Sequence, residues 1–248
     1  MVDDGLMAGD ESEIALSKQE LREVTAFAAA CAEVVLEVFE ADQPDDPRPR
    51  DAIGAAWEFA RGGERGKSLR DTAWAALKAA KSADTAAARE AAQAAMSAAG
   101  AAYLHPLAKA TQVKHILGAG AHAARAAELV DDNNAGIGAE YVERAVQRAT
   151  PVVVEVLKRF PAAPGGGGRV GELIRILDTD LRSLTFPGVG VHVNVLSRAR
   201  GNVPSGRGTR GPDSGSGHPG SRDDEDLAPG PAGLAETVDV GEVGQGAR

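Results

Sequence analysis

The sequence predicts an all-α fold, a compact alanine-rich bundle of about eight helices with a disordered C-terminal tail. Three observations favour this fold. Apolar residues recur at spacings of three and four through most of the chain up to Leu184. Only 4 % of the residues are aromatic, so alanine supplies much of the 43 % apolar fraction. From Thr185 onward the chain is rich in glycine, proline and serine. We therefore expect a core built on close helix–helix approach rather than on large side chains.

Three parts follow from this change of composition. Residues 1–13 carry five acids and no base, which predicts a disordered acidic N-terminus. Residues 14–184 are predicted to form one helical domain. Residues 185–248 hold 14 of the 30 glycines and cannot bury enough apolar surface to offset their chain entropy, so we expect a disordered tail.

Capping and breaking residues set the predicted helix boundaries. Ser17 and Glu20 form a capping box, Pro47 and Pro151 suit first helical turns, and Gly62 ends a helix. Further expectations are that Asp46, Ser68 and Asp84 begin the second, third and fourth helices, that the third carries Trp74, Leu77 and Ala80, and that Pro106 begins the fifth. The eight predicted helices cover roughly residues 18–41, 47–61, 68–82, 85–103, 106–129, 139–149, 151–160 and 169–184.

Composition also bounds the function. The net charge is −9, but most of it lies outside residues 14–184, and a near-neutral domain lacks the basic face expected of a nucleic-acid binder. The single cysteine, Cys31, excludes a disulfide within one chain and predicts a small buried side chain. The N-terminus has no signal-peptide pattern, and no window is apolar enough for a membrane span, so we expect a soluble cytoplasmic protein.

Several side chains invite a functional interpretation. The acidic pairs Asp45–Asp46 and Asp131–Asp132 lie in predicted loops, the first beside two arginines. This charge cluster either fixes the loop or forms a partner-binding surface, and both interpretations stay open. The candidate partner-binding residues are Asp45, Asp46, Arg48, Arg50, Asp131 and Asp132.

The histidines suggest structure more than chemistry. His115 and His122 share a helix face but lie about 10.5 Å apart along the axis, too far for one metal ion. Hydrogen bonds across helix contacts are the expected role for both. No nucleophile elbow, phosphate-binding loop or HExxH pattern is present, so we expect no enzyme and no cofactor. The candidate structural residues are Trp57, Trp74, His105, Pro106, His115 and His122.

Four stretches carry a family resemblance. They are DDPRPRDAIGAAWEFARGG, SLRDTAWAALKAA, AAYLHPLAKATQVKHILGAGAHAARAAEL and ATPVVVEVLKRFPAAPGGGGRVGELI. In this order they resemble the all-helical domain of bacterial immunity proteins of toxin–immunity systems, over roughly residues 13–184. The resemblance implies a non-catalytic protein that binds and neutralises a cognate toxin, and it brings no catalytic or metal residues. The alternative is a helical scaffold or regulatory domain that acts through homo-oligomer or partner-helix contacts.

Overall fold

The computed structural model describes residues 13–186, and the predictions of a disordered N-terminus and tail lie almost wholly outside that range. Within it the chain is all-α, as predicted, with nine α-helices and two 3-10 turns. The helices are α1 Lys18–Glu33, α2 Leu36–Asp42, α3 Arg48–Ala60, α4 Lys67–Ser82, α5 Ala86–Gly100, α6 Val113–Val130, α7 Ala135–Arg148, α8 Pro151–Arg159 and α9 Gly168–Ser183. The 3-10 turns are Ala101–Tyr103 and Ala110–Gln112.

The predicted first helix is two helices. α1 ends at Glu33, and α2 begins at Leu36 after two residues in a turn. Those residues are Val34 and Val35, whose β-branched side chains weaken helix propensity without a glycine or proline to announce a break. Val35 is buried at the break, and α2 then packs against α5.

The predicted start of the fifth helix at Pro106 is wrong, because α6 begins at Val113. The intervening backbone instead holds the start of the domain. Pro106 O accepts a hydrogen bond from Ile14 N at 2.6 Å, and Leu107 forms an isolated antiparallel bridge with Glu13. A continuous helix would take these backbone groups for its own hydrogen bonds.

α6 runs through the centre of the core. Twelve of its 18 residues are buried, and it packs against α1, α5, α7 and α9. Small side chains allow this approach, since a Cβ added at Gly120 would lie 3.3 Å from Leu177 Cδ1 of α9. Cys31 is buried as predicted, and burial raises the pKa of its thiol to about 12.

Trp74, a candidate structural residue, does not lie in the core. Its side chain is 38 % exposed, and the buried face of α4 is Leu69, Ala73, Ala76, Ala79 and Ala80. The alanines of this face let α4 and α5 approach closely. Among residues 13–186, no helix combines the length and the apolar character that a membrane span requires.

Candidate partner-binding surface

The arginine at the start of α3 ties a loop to the rest of the domain. Arg48 Nε donates to Asp46 Oδ1 at 2.7 Å, and its Nη2 donates to Ser82 Oγ at 3.0 Å at the end of α4. The hydrogen bond from Arg48, which outweighs the cost of burial, holds the pKa of Asp46 below its ordinary value. Asp46 also accepts from the backbone amide of Arg48, so this pair fixes the entry to α3.

Arg50 forms a second internal ion pair. Its Nε and Nη2 donate to the two carboxylate oxygens of Glu40 at 2.7 and 2.6 Å, which joins α3 to α2. Asp45, in contrast, is exposed and makes no hydrogen bond or ion pair within the described residues. Of the four candidates in this cluster, Asp45 alone therefore presents an unpaired charge to a partner.

The second acidic pair, Asp131 and Asp132, directly follows the end of α6. Asp131 accepts a hydrogen bond from Asn134 Nδ2 at 2.6 Å, and Asp132 stands at a positive φ of 50°. Asn134 begins α7 by accepting from the amide of Gly136, earlier than the predicted start at Ala139. Both aspartates are exposed, so their charges are available on the surface.

A groove lies between these two acidic loops. It has a volume of about 620 Å³ and is formed where the end of α2, the start of α5 and the end of α6 meet. Asp42 at one wall leads into the loop that carries Asp45, and Val130 at the other leads directly to Asp131. We call it the acidic groove, and its lining residues are Glu37, Val38, Ala41, Asp42, Thr85, Ala86, Ala87, Leu129 and Val130.

The walls of the acidic groove are held by hydrogen bonds at the start of α5. The two carboxylate oxygens of Asp42 accept from the amides of Asp84 and Thr85 at 3.0 and 3.1 Å. Burial acts to raise the pKa of Asp42, but these hydrogen bonds and those from the Thr85 and Gln43 side chains hold it below its ordinary value. The carboxylate is therefore charged at neutral pH while it anchors α2 to α5.

The three candidate structural histidines lie apart and form hydrogen bonds with different partners. His115 Nδ1 donates to Gly100 O at 3.2 Å, and burial lowers the pKa of this imidazole, which keeps it neutral. His122 Nδ1 donates to Glu90 at 2.6 Å, while His105 is exposed and its amide donates to Gln112 Oε1. Across residues 13–186, no three His, Cys, Asp or Glu side chains are placed to share a metal ion.

Trp57 is half-buried beside the first helix. Its Nε1 donates to Glu33 at 3.3 Å, and the guanidinium of Arg61 stacks 5.2 Å from its ring centre. These contacts join α3 to the end of α1 and leave Trp57 half-buried. Packing and hydrogen bonding therefore explain why Trp57 is held at this position.

A second groove lies on a different part of the domain, between α7 and α9. Its volume is about 310 Å³. Two acids, Glu143 and Asp180, and one base, Arg169, are among its lining residues. Ile176 lines its apolar part and is 38 % exposed. This α7–α9 groove is the natural comparison for the acidic groove, because it offers a similar apolar surface with an arginine in its lining.

Sequence reasoning missed the most deeply buried charge. Glu128 of α6 is 1 % exposed and accepts from Arg169 of α9 at 2.6 Å and from Arg125 at 2.8 Å. A Cβ at Gly138 of α7 would lie 2.1 Å from Glu128 Oε1, so only glycine leaves room for the carboxylate. The available signal was the three-residue spacing from Arg125 to Glu128, whereas Gly138 lay just outside the predicted sixth helix.

The described residues define a class: an all-helical domain whose candidate site is a surface groove with carboxylates at its rim and apolar side chains on its floor. A family model described as "Imm-5 like putative immunity protein" matches residues 15–150, more than half of the 248 residues. The chain therefore belongs to this immunity-protein family.

The family match covers α1 to α7 and ends at Thr150. The predicted resemblance over residues 151–184 lies beyond it and stays a prediction. No curated protein and no solved structure was found to match the chain.

Proposed function

We propose that this protein neutralises a cognate bacterial toxin by binding it, without catalysing a reaction. The observation that carries the proposal is membership of the immunity-protein family over α1 to α7, which include all the helices that form the acidic groove. The unpaired carboxylates at Asp45 and Asp132 support it, because surface charge accelerates association with a partner of opposite charge. The proposal also places the protein in the cytoplasm, which cell fractionation tests.

Co-expression tests the proposal. The toxin domain encoded beside this gene is placed under an inducible promoter, with and without the present chain on a second plasmid. We expect growth to stop with the toxin alone and to resume with both, and the two purified proteins to elute together from a sizing column. Absence of rescue together with absence of a complex would contradict the proposal.

The alternative is a helical scaffold that acts through homo-oligomer or partner-helix contacts. The buried alanine face of α5 and α6 does not serve as such a contact, because these alanines fill the core of the single chain. A homo-oligomer formed through another face remains a prediction, and the mass in solution by light scattering decides it.

A further inference from the structure

We propose that the acidic groove is the docking site, and that its occupant is a basic segment of the partner protein carrying one large apolar side chain. This inference rests on the proposed function and deepens it, since it names the face and the chemistry of the partner. The floor of the groove is apolar. Val130 is 62 % exposed at its edge, and Val38 and Leu129 are half-buried beside it.

An exposed aliphatic floor of this kind favours an apolar anchor. The volume of about 620 Å³ is ample for a leucine or an aromatic side chain. Binding energy in protein interfaces concentrates where one such anchor enters a pocket and loses its water.

The lining of the groove is acidic. Glu37 and Asp42 line the groove, and among its described lining residues there is no lysine or arginine. Glu37 is exposed and makes no ion pair within residues 13–186, while Asp84 and Asp131 directly adjoin lining residues. Charge complementarity therefore selects a basic partner segment and disfavours an acidic one.

Glu37 and Asp42 are the two carboxylates of the lining, and no base of the same lining pairs with either. The neighbouring acids Glu40 and Asp46 are neutralised by Arg50 and Arg48, which belong to the same domain. The α7–α9 groove is also lined by two acids, Glu143 and Asp180, but its lining includes Arg169 as well. The acidic groove therefore offers an apolar floor beside carboxylates that no base within its lining neutralises.

The groove is already formed before a partner binds. Asp42 links α2 to the start of α5 through two backbone amides, and α5 packs along α6. A site whose walls are already fixed loses less conformational entropy when a partner docks. Asp42 is therefore a poor residue to mutate as a test, and the exposed Glu37 and Val130 are better ones.

Calorimetry with matched double variants tests the inference. The full chain is titrated with the purified, catalytically inactivated toxin domain encoded beside the gene. The groove variant is Glu37→Lys with Val130→Lys. The control is Glu143→Lys with Ile176→Lys in the α7–α9 groove, which changes the same residue classes and the net charge by the same amount.

We expect the groove variant to raise Kd about 100-fold and the control to change it less than about 3-fold. The association rate of the wild type should also fall steeply with added salt, and that of the groove variant should be nearly flat. Circular dichroism and thermal unfolding verify that each variant is folded, and the single exchange Glu37→Gln gives a milder test if the double variant is not.

The outcomes separate the two proposals. The wild type could bind tightly while both variants are weakened equally, or while the groove variant is not weakened at all. Either result overturns the docking site and leaves the proposed immunity function standing. No binding and no growth rescue with the wild type contradicts both. A dimer of this chain in solution that the groove variant dissociates would show a second copy as the occupant, which also overturns the inference.

Discussion

At the scale of single residues, the most constrained group is the Glu128 carboxylate. It is buried beneath α7 and receives hydrogen bonds from two arginines, one on its own helix and one on α9. Burial acts to raise the pKa of Glu128, but Arg169 and Arg125 hold it below its ordinary value of 4.5. Gly138 completes the site, because the glycine lets α7 pass directly over the carboxylate.

We predict that Glu128→Gln lowers the free energy of unfolding by about 3 kcal/mol, because the two arginines lose their buried counter-charge. Arg169 and Arg125 are 29 % and 20 % exposed, which keeps the loss at the low end of the usual range. Glu172→Gln is the matched control. Glu172 also pairs with Arg169 but is 54 % exposed, so its loss should cost less than about 1 kcal/mol. Urea denaturation at neutral pH measures both.

The pH dependence of the same pair gives an independent check. The folded-state pKa of Glu128 is depressed. Its contribution to the free energy of unfolding is therefore complete above about pH 4.5 and is lost as the pH falls through the lowered pKa. The stability gap between the wild type and Glu128→Gln should therefore narrow below pH 4.5. A gap that stays constant down to pH 3 would mean that the charge of Glu128 is not what stabilises the fold.

The role of Glu128 could not be predicted from the chain alone, and the reason is physical. Which carboxylate becomes buried depends on Gly138 and Arg169, and these residues meet Glu128 only once α7 and α9 have packed on α6. The acidic groove has the same origin. Its walls come from α2, α5 and α6, so the sequence could indicate the acidic loops Asp45–Asp46 and Asp131–Asp132 but not the apolar floor between them.

At the scale of helices, the local capping signals predicted two helix starts correctly. The Ser17 and Glu20 capping box is present, and Thr150 accepts from Val153 N before Pro151 as predicted. The predicted caps Ser68 and Asp84 are wrong. Gly66 is the cap of α4, and Thr85, one residue later than Asp84, caps α5 by accepting from Ala88 N at 3.1 Å.

These two starts make a paired prediction. Thr85→Ala should lower the free energy of unfolding by about 1 kcal/mol, because the amide of Ala88 loses its acceptor. Ser68→Ala should change it by less than about 0.5 kcal/mol, since Ser68 is exposed and makes no cap hydrogen bond. Thermal and urea unfolding rank the two variants, and the reverse order would show that α4 depends on its serine after all.

Tertiary contacts explain where the helix predictions failed. Asp42 supplies acceptors to the start of α5 from across the domain, and residues 105–112 leave the helix to hold Ile14 and Glu13. Helix periodicity carries no information on either contact. It does identify the long apolar helices, which is why the all-α class was predicted and several of their ends were not.

At the scale of the whole described domain, α8 and α9 belong to the same core as the family-matched helices. Eight of their apolar side chains and the adjoining Phe160 are buried, and α9 packs along α6. The buried residues are Val153, Val154, Val156, Leu157, Phe160, Leu173, Ile174, Leu177 and Leu181. Arg169 of α9 also supplies one of the two counter-charges of Glu128. The folding unit therefore extends beyond the end of the family match at Thr150.

We predict that a chain ending at Thr150 does not unfold cooperatively. Each large apolar side chain contributes about 1.5–3 kcal/mol when buried, so losing nine of them removes more than the roughly 5–15 kcal/mol that stabilises a typical domain. Glu128 would also keep only Arg125 as a partner. A chain ending at residue 186 retains every described helix and is the control, for which we expect a sharp thermal transition. If the shorter chain melted sharply at a similar temperature, α1 to α7 would fold alone, and the acidic groove would be complete without α8 and α9.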